Sequence, residues 1–362
     1  MDKDINRIKV VLAEKKRTNK WLAEQLGCAP TTVSKWCTNA WQPPMETYLK
    51  IAKLLEVDIA ELLNKNISNQ YSMATISNKY IFSGHESFPC KSLWLKKGYD
   101  FIVHGNNFSS SDAVIQLGVG KNMVSSIRYW LGVFGICDGD QPTWLGNYLF
   151  NENYGKDKYI EDMATLWLLH FNLVFLRKAS LYNMLFCGLQ KERSTFEKGI
   201  AITYARLKLA EVGKLSAYNE STMGKDVGVF LQNYALPRKP QSNEDYSSLL
   251  IDLDLIRSNS EGKGYYFNVD GKREVTKEIF LYGLLKLKEL EGDNSLPFDT
   301  IQERIGLVFC MQNFETVEML KQLANEYSHF FVYSDVAGIK QVQFIKDLDI
   351  KQVLDYYYGK DI

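Results

Sequence analysis

From Ile5 to Leu63 the apolar positions recur at helical spacing, in five short runs broken by turn residues. The first run is Ile8, Val11 and Leu12. Thr18 then offers a hydroxyl N-cap to a helix holding Trp21, Leu22, Ala23 and Leu26, and Gly27 can take positive φ at its end. A third helix is expected to start at Pro30, where a missing N–H costs nothing, and to run through Val33 and Trp36. Asn39 supplies a further turn, and Pro43-Pro44 bars continuation. Two more helices then carry Leu49, Ile51, Ala52, Leu54, Leu55, Ile59 and Leu62. Small Ala23, turn-forming Gly27 and the anchors Val33 and Trp36 have the spacing of a helix-turn-helix. Ala29 stands where a capping side chain is usual, so the third helix lacks one.

Past this head the pattern changes. Residues 66–79 read as a linker, because Asn64 to Ser72 is polar and without period; Met73-Ala-Thr then resembles the start of an independent frame. In 80–155, Ser109-Ser110-Ser111 caps a short helix over Asp112 to Leu117, Gly118-Val-Gly120 turns the chain, and Asn122 caps a longer helix through Met123, Val124, Ile127, Trp130 and Leu131. With Cys137 to Phe150 as a wing, this is a winged-helix-like unit whose exposed face carries Lys121, Asn122, Ser125 and Arg128. Solvated charges on a helical hairpin are the alternative. Residues 156–362 are a helical body: helices over Tyr159–Leu176, Leu181–Leu189 and Thr195–Glu211, then two helix–helix–hairpin units. The first has a helix from Met223, another over Tyr246–Leu255, and a wing strand at Gly262 to Val269. The second runs from Leu296 to Phe309 and Thr316 to Asn325 into strands at Phe330 to Tyr333 and Val342 to Phe344. The aromatics Phe330, Phe331 and Tyr356 to Tyr358 are expected in the core or an interface.

The 362-residue chain has 46% hydrophobic and 24% charged residues, ordinary for a globular protein of two or three domains. No apolar run is long enough for a membrane span, and the Met-Asp-Lys-Asp start is not that of a secretory leader, so a cytoplasmic location is expected. The six cysteines show no C-x-x-C pair and the four histidines no metal-ligand spacing, so neither a disulfide frame, a metal site nor a cofactor is expected. Net charge is zero, but residues 1–66 hold eleven basic against eight acidic residues, which places the positive excess on the head.

The string LAEQLGCAPTTVSKW, continued by PPMETYLKIAKLLEVDIAELL, resembles the Cro/C1-type (xenobiotic-response-element-like) helix-turn-helix family over residues 1–65. By position, the resemblance puts Thr31 and Lys35 where base-reading side chains lie, with Pro30 and Thr32 at the groove edge. It puts Asn19 and Lys20 on phosphate at the start of the second helix. Cys37 and Thr38 depart from the family's acidic-polar pair, which puts that turn's usual hydrogen bond in doubt. The strings YIFSGHESFPCKSLWLKKGYD, LGVGKNMVSSIRYWL, DVGVFLQNY and YSDVAGIKQV resemble a bacterial family known as domain of unknown function 4007, from about Tyr80 to the C-terminus. That resemblance implies association with DNA-modification or phage-defence gene sets, including sulfotransfer-type neighbours. The fold class is therefore mainly α: a five-helix Cro/C1-type domain, a linker, and a mostly helical body with winged-helix-like units and short β-hairpins.

Gly118-Val-Gly120-Lys121 fails as a phosphate loop, because Ile115 and Asn122 stand where Gly and Ser/Thr are required. The loop Phe82-Ser-Gly-His85-Glu86-Ser-Phe-Pro-Cys90 gathers an acid, an imidazole and a thiol. It reads either as a functional loop or, preferred, as a structural arm pinned into the core. The expected function is sequence-specific binding of duplex DNA by a non-enzymatic homodimer, as a transcriptional regulator or the DNA-targeting component of a defence or modification system. The alternatives are an adaptor that recruits a DNA-modification or sulfur-transfer enzyme, and an enzyme centred on His85, Glu86 and Cys90.

Overall fold

The computed structural model describes residues 6–57, 59–62, 76–238, 246–259, 264–336 and 338–359. The chain divides between Ser72 and Met73 into two compact units. The part of the expected linker over 66–75, and Gly262 and Lys263 of an expected wing, lie outside the described residues. Its end at 76–79 is not free chain: the Ser77 N–H donates to the Leu176 carbonyl at 2.8 Å, and Ile76 packs on the core of the second unit.

In the head, α1 spans Ile8–Glu14, α2 Asn19–Leu26, α3 Pro30–Cys37 and α4 Met45–Leu55, with a 3₁₀ turn at Ile59–Leu62. Thr18 accepts from the Trp21 N–H, Gly27 takes φ 66°, and Pro30 opens α3 with no side-chain cap. Ile8, Val11, Leu12, Leu22, Ala23, Val33, Trp36, Ile51, Leu55 and Leu62 form the buried core. The turn after α3 is fastened by a polar cluster. The Asn6 N–H donates to Asn39 Oδ1 (2.7 Å), and Asn6 Nδ2 donates to the Trp36 carbonyl (2.9 Å) and to Gln42 Oε1 (2.8 Å). Asn39 Nδ2 returns a bond to the Asn6 carbonyl, and the Tyr48 hydroxyl donates to Gln42 Oε1. Asn39 sits at φ 55°, so its amide both tolerates the left-handed turn and holds the N-terminal arm.

The body repeats one topology. In the last unit, α14 (Lys277–Glu291) leads to strand β6 (Ser295–Pro297), α15 (Phe298–Ile301), α16 (Asn313–Glu326) and the hairpin β7 (Phe331–Val336) and β8 (Ile339–Phe344). In the middle unit, α10 (Ser180–Met184) and α11 (Gln190–Glu192) lead to β3 (Thr195–Phe196), α12 (Lys198–Glu211), α13 (Glu220–Tyr234), β4 (Ile256–Ser258) and β5 (Tyr265–Phe267). Both sheets are antiparallel with the strand before the second helix paired to the last strand, in orders β3-β5-β4 and β6-β8-β7. That is the winged-helix arrangement, twice. The first unit is a reduced version: α5 (Trp94–Val103), α6 (Ala113–Leu117), α7 (Lys121–Val133), then the short hairpin β1 (Cys137–Asp138) and β2 (Gln141–Pro142). Its expected wing is thus six residues long, and Trp144–Phe150 is a helix, α8, capped by Thr143. Helix α17 (Ile350–Tyr358) closes the chain against α14.

Several boundaries move for identifiable reasons. The helix expected from Tyr159 begins at Met163, where the Asp162 carboxylate caps α9 (Met163–Phe175). Gly120 rather than Asn122 precedes α7, without a side-chain cap. Thr195 and Phe196 are strand, because β5 pairs with them. The helix expected over Tyr246–Leu255 is absent but for a 3₁₀ turn at Ile251–Leu253. Residues 247–249 instead bond to the arm, with the Ser92 N–H on the Ser247 carbonyl and the Leu249 N–H on the Cys90 carbonyl. Of the terminal aromatics, Phe331 is buried and the Tyr357 and Tyr358 hydroxyls bond to Asp162 and Thr165, whereas Tyr356 is exposed and outside the core.

One contiguous core runs from Cys90 to Leu354, so the change of units near residue 155 occurs within a single body. At its centre α9 is buried on every side from Ala164 to Phe175. A π-turn at Gln302–Gly306 loosens the backbone ladder just before Val308, the residue that His170 of this helix bonds. The carbonyls that follow are satisfied by side chains: Gln190 Nε2 donates to Leu307, His170 Nε2 to Val308, and Gln302 Nε2 to Met311. Because Val308 can only accept, Nδ1 of His170 must accept from the Tyr234 hydroxyl, 2.7 Å away.

Burial, opposed only in part by the Val308 carbonyl, lowers the His170 pKa from 6.5 to about 4. The folded state then resists protonation that the unfolded chain accepts. The corresponding stability is full above pH 6.5 and is lost as pH falls toward 4, a loss of roughly 3 kcal/mol. Urea titrations from pH 7.5 to 4 should show this slope in the wild type and a flatter one in His170→Gln. Equal slopes would refute the assignment.

Candidate nucleic-acid interface

Helix α3 turns Val33 and Trp36 into the head and presents Pro30, Thr31, Ser34 and Lys35 to solvent, with Thr32 half-buried. The side chains of Thr31, Thr32 and Lys35 make no hydrogen bond or ion pair among the described residues. Hydroxyls and an ammonium on one open face can read base edges or phosphates. Lys20 is exposed beside them at the start of α2. Asn19 is half-buried and its Oδ1 accepts from the Cys37 thiol at 3.3 Å, which leaves its amide N–H groups for an outside acceptor. The same contact, with Thr38 Oγ1 donating to the Ser34 carbonyl at 3.0 Å, closes the turn where the family's usual pair is missing.

The pattern of apolar positions did not single out Trp41. Its ring is 70% exposed, and Lys35 Nζ lies 5.7 Å from the ring centroid. An indole in a turn between Asn39 and Pro43, off every helical apolar stripe, was the available signal. Arg17 stands likewise over Trp21, at 4.8 Å. Both rings hold a cation without neutralising it.

On the body, Lys121, Asn122, Ser125 and Arg128 all lie exposed on α7 as expected. Arg128 is not available, however. Its Nε and NH2 group each donate to the Asp140 carboxylate at 2.8 Å, across to the β1–β2 hairpin. Lys178 is held by Asp138 of the same hairpin at 3.1 Å. The other two helices in the equivalent position differ: α13 buries Met223, Asp226, Val227, Val229, Phe230 and Leu231, and α16 carries three glutamates against one lysine. Among the three, α7 alone has a basic exposed face without acids of its own.

The 82–90 loop is an arm that staples two units together. His85 is buried, and its Nε2 lies 2.9 Å from Asp226 Oδ1 on α13. Its Nδ1 accepts from the Ser87 N–H at 3.0 Å, so the proton sits on Nε2 and points at Asp226. The Ser83 N–H also donates to Asp226, and Ser126 Oγ on α7 donates to the His85 carbonyl. Ser83, Gly84, Glu86 and Ser87 all take positive φ, a cluster of strain that such fixing must offset. Glu86 is exposed, away from the His85–Asp226 bond. Cys90 is fully buried, with its N–H on Asn233 Oδ1, and burial pushes its thiol well above the usual range. His85, Glu86 and Cys90 therefore do not converge on one accessible point. Among the described residues no group of three or more His, Cys, Asp or Glu could hold a metal ion, and no helix is long and apolar enough to cross a membrane.

Residues 82–358 match the model of a family described as protein of unknown function, DUF4007, and residues 7–66 match the Cro/C1-type HTH DNA-binding domain. No curated protein matches. Among solved structures, the chain is similar to a magnesium ion-bound crystal structure of SspB, 23% identical, with a TM-score of 0.69 over 78% of this chain and 88% of that one. A second SspB crystal structure gives 23% identity and 0.68 over 79% and 89%. These likenesses concern the fold. A Bacteroides fragilis protein assigned to DNA binding is 57% identical over 17% of this chain and 97% of its own, with a TM-score of 0.17.

Removing the His85 donor leaves the buried Asp226 carboxylate without its side-chain partner. His85→Ala should therefore destabilise the body by about 3 kcal/mol in denaturant titrations, while DNA binding by the head is unchanged under native conditions. A variant as stable as the wild type would refute the staple.

Proposed function

Because the chain belongs to the DUF4007 family and bears a Cro/C1-type DNA-binding head, we propose that it is a sequence-specific DNA-binding protein of a bacterial defence or DNA-modification system. In this reading the head selects the site, and the body regulates transcription there or targets a partner to it. The observation that carries it is the face of α3 where Thr31, Thr32 and Lys35 make no hydrogen bond or ion pair among the described residues, with the exposed Trp41 ring beside Lys35. The positive excess of the head supplies the salt-dependent capture that such a face needs. One recognition helix reads only a few base pairs, so a cytoplasmic homodimer on two half-sites completes the proposal.

The body is proposed to be non-enzymatic at the 82–90 loop, since His85 is saturated by Asp226 and Ser87 while Cys90 is sealed. An adaptor role draws support from a specific surface. Strand β7 is a sheet edge, and the β7–β8 hairpin exposes Val332, Val336 and Ile339 at 42%, 69% and 65%. An adaptor should co-purify with a modification or sulfur-transfer enzyme, whereas a self-sufficient regulator should not.

Selection of bound genomic fragments by the full chain, followed by fluorescence anisotropy, tests the head. Lys35→Ala should cost about 1–3 kcal/mol and relax preference at one position of each half-site. Lys20→Ala should weaken all sequences alike and lower the salt dependence by about one counterion. Binding that ignores both salt and sequence would overturn the proposal.

A further inference from the structure

Beside α7 the body holds an open groove of about 1060 Å³, bordered on one side by Gly84 of the 82–90 arm. Lys121, Val124, Ser125, Arg128, Tyr129, Gly132 and Val133 all line it. These positions follow the three-and-four spacing of one helix face, so the groove runs along α7 for about 18 Å. Its character changes along that length. Toward the N-terminus of α7 stand Lys121 and Ser125; the Ser109 hydroxyl, on the segment before α6, lines the same groove, and none of the three has a side-chain partner among the described residues. At the other end are the Tyr129 ring, the bare backbone of Gly132, and Val133.

The floor is built, not incidental. A Cβ on Gly84 would lie 2.5 Å from the Tyr129 ring, so the strained arm presses its backbone directly on that ring. Trp130 meets the same ring edge-on at 5.1 Å. The arm itself is fixed by the His85–Asp226 bond, so the apolar end is preformed.

We infer that this groove binds a nucleotide unit, with phosphate at the Lys121, Ser125 and Ser109 end and the base over Tyr129 and Gly132. A duplex fits the same face poorly. Along the middle of the helix Arg128 is already taken by Asp140, so a phosphate backbone laid there would meet the hairpin's carboxylates. Lys121 lies two helical turns, about 10 Å along α7, from Arg128, and Ser125 about one turn from it. An ammonium and hydroxyls at one end and an apolar face at the other match a charged phosphate joined to a flat base. The unit can come from a free nucleoside phosphate or from an unpaired nucleotide of a DNA strand.

The test uses the full-length protein with three probes: a fluorescent adenosine triphosphate analogue, unlabelled deoxynucleoside monophosphates as competitors, and a short single-stranded oligonucleotide. A Cβ on Gly132 would meet nothing within 4 Å, so the side chain of Gly132→Trp starts from open space and occupies the groove. It should abolish binding, and Lys121→Ala should weaken it by about tenfold. Lys35→Ala should leave it unchanged, which separates this site from the head. Binding of mononucleotides assigns a free nucleotide; binding of the oligonucleotide alone assigns a strand. Lys121 is exposed and unpaired, so its variant keeps the test valid if Gly132→Trp lowers the melting temperature. Absence of binding by all probes at millimolar concentration, or binding indifferent to both groove variants, overturns the inference.

Discussion

The bond between His85 and Asp226 is the constraint on which the body's surface depends. It joins residues 141 apart in sequence and buries an imidazole and a carboxylate between α7 and α13. Neither group could be buried alone without a large desolvation cost. Each is completed by backbone N–H groups of the same loop, Ser83 on the carboxylate and Ser87 on the ring. The loop supplies those donors by holding Ser83, Glu86 and Ser87 at positive φ. Strain, hydrogen bonding and burial are thus one arrangement, and its outer surface is the Gly84 backbone lying on Tyr129.

The same bond explains why one topology serves different ends in three places. A winged-helix unit normally leaves its third helix free for a groove. Here α13 cannot be free, because Asp226 and Asn233 hold the arm while Val229, Phe230 and Leu231 face the core. Helix α16 remains open in part, yet it carries one lysine, Lys321, which is engaged by Glu318, and so offers phosphate no free cation of its own. Only α7 keeps a basic face, and there the hairpin that should act as a wing places Asp138 and Asp140 against Lys178 and Arg128. The repeats share a scaffold and have surrendered most of its usual surface to packing.

What could be read from the chain follows the range of the interactions. The head was legible almost to the residue, because Thr18, Gly27, Pro30 and Asn39 act on their immediate neighbours. Its Asn6 cluster was not, since Asn6 meets Asn39 and Gln42 across more than thirty residues. In the body the winged rhythm showed in the alternation of helices and aromatic strands. The segment 246–255 has helical spacing and still forms no long helix, because pairing with Cys90 and Ser92 gives its backbone better partners. Likewise the face of α7 was identifiable by period, while the engagement of Arg128 by Asp140 depended on where a short hairpin turned. The 82–90 loop stood out by its His, Cys, Gly and Pro; its partner on α13 did not.

Charge distribution then limits how each part can recognise anything. The head has a positive excess and an exposed Lys35 that makes no ion pair among the described residues, so it can attract a polyanion from a distance. The rest of the chain has more acidic than basic residues, and two of the cations bordering the α7 groove are matched by hairpin carboxylates. Such a surface produces no long-range pull. Recognition there has to rest on contacts made within the groove, through Lys121, the serine hydroxyls and the fixed ring of Tyr129. A domain that captures by field and a body that selects by fit are therefore different instruments, and the buried His85–Asp226 pair is what keeps the second one in shape.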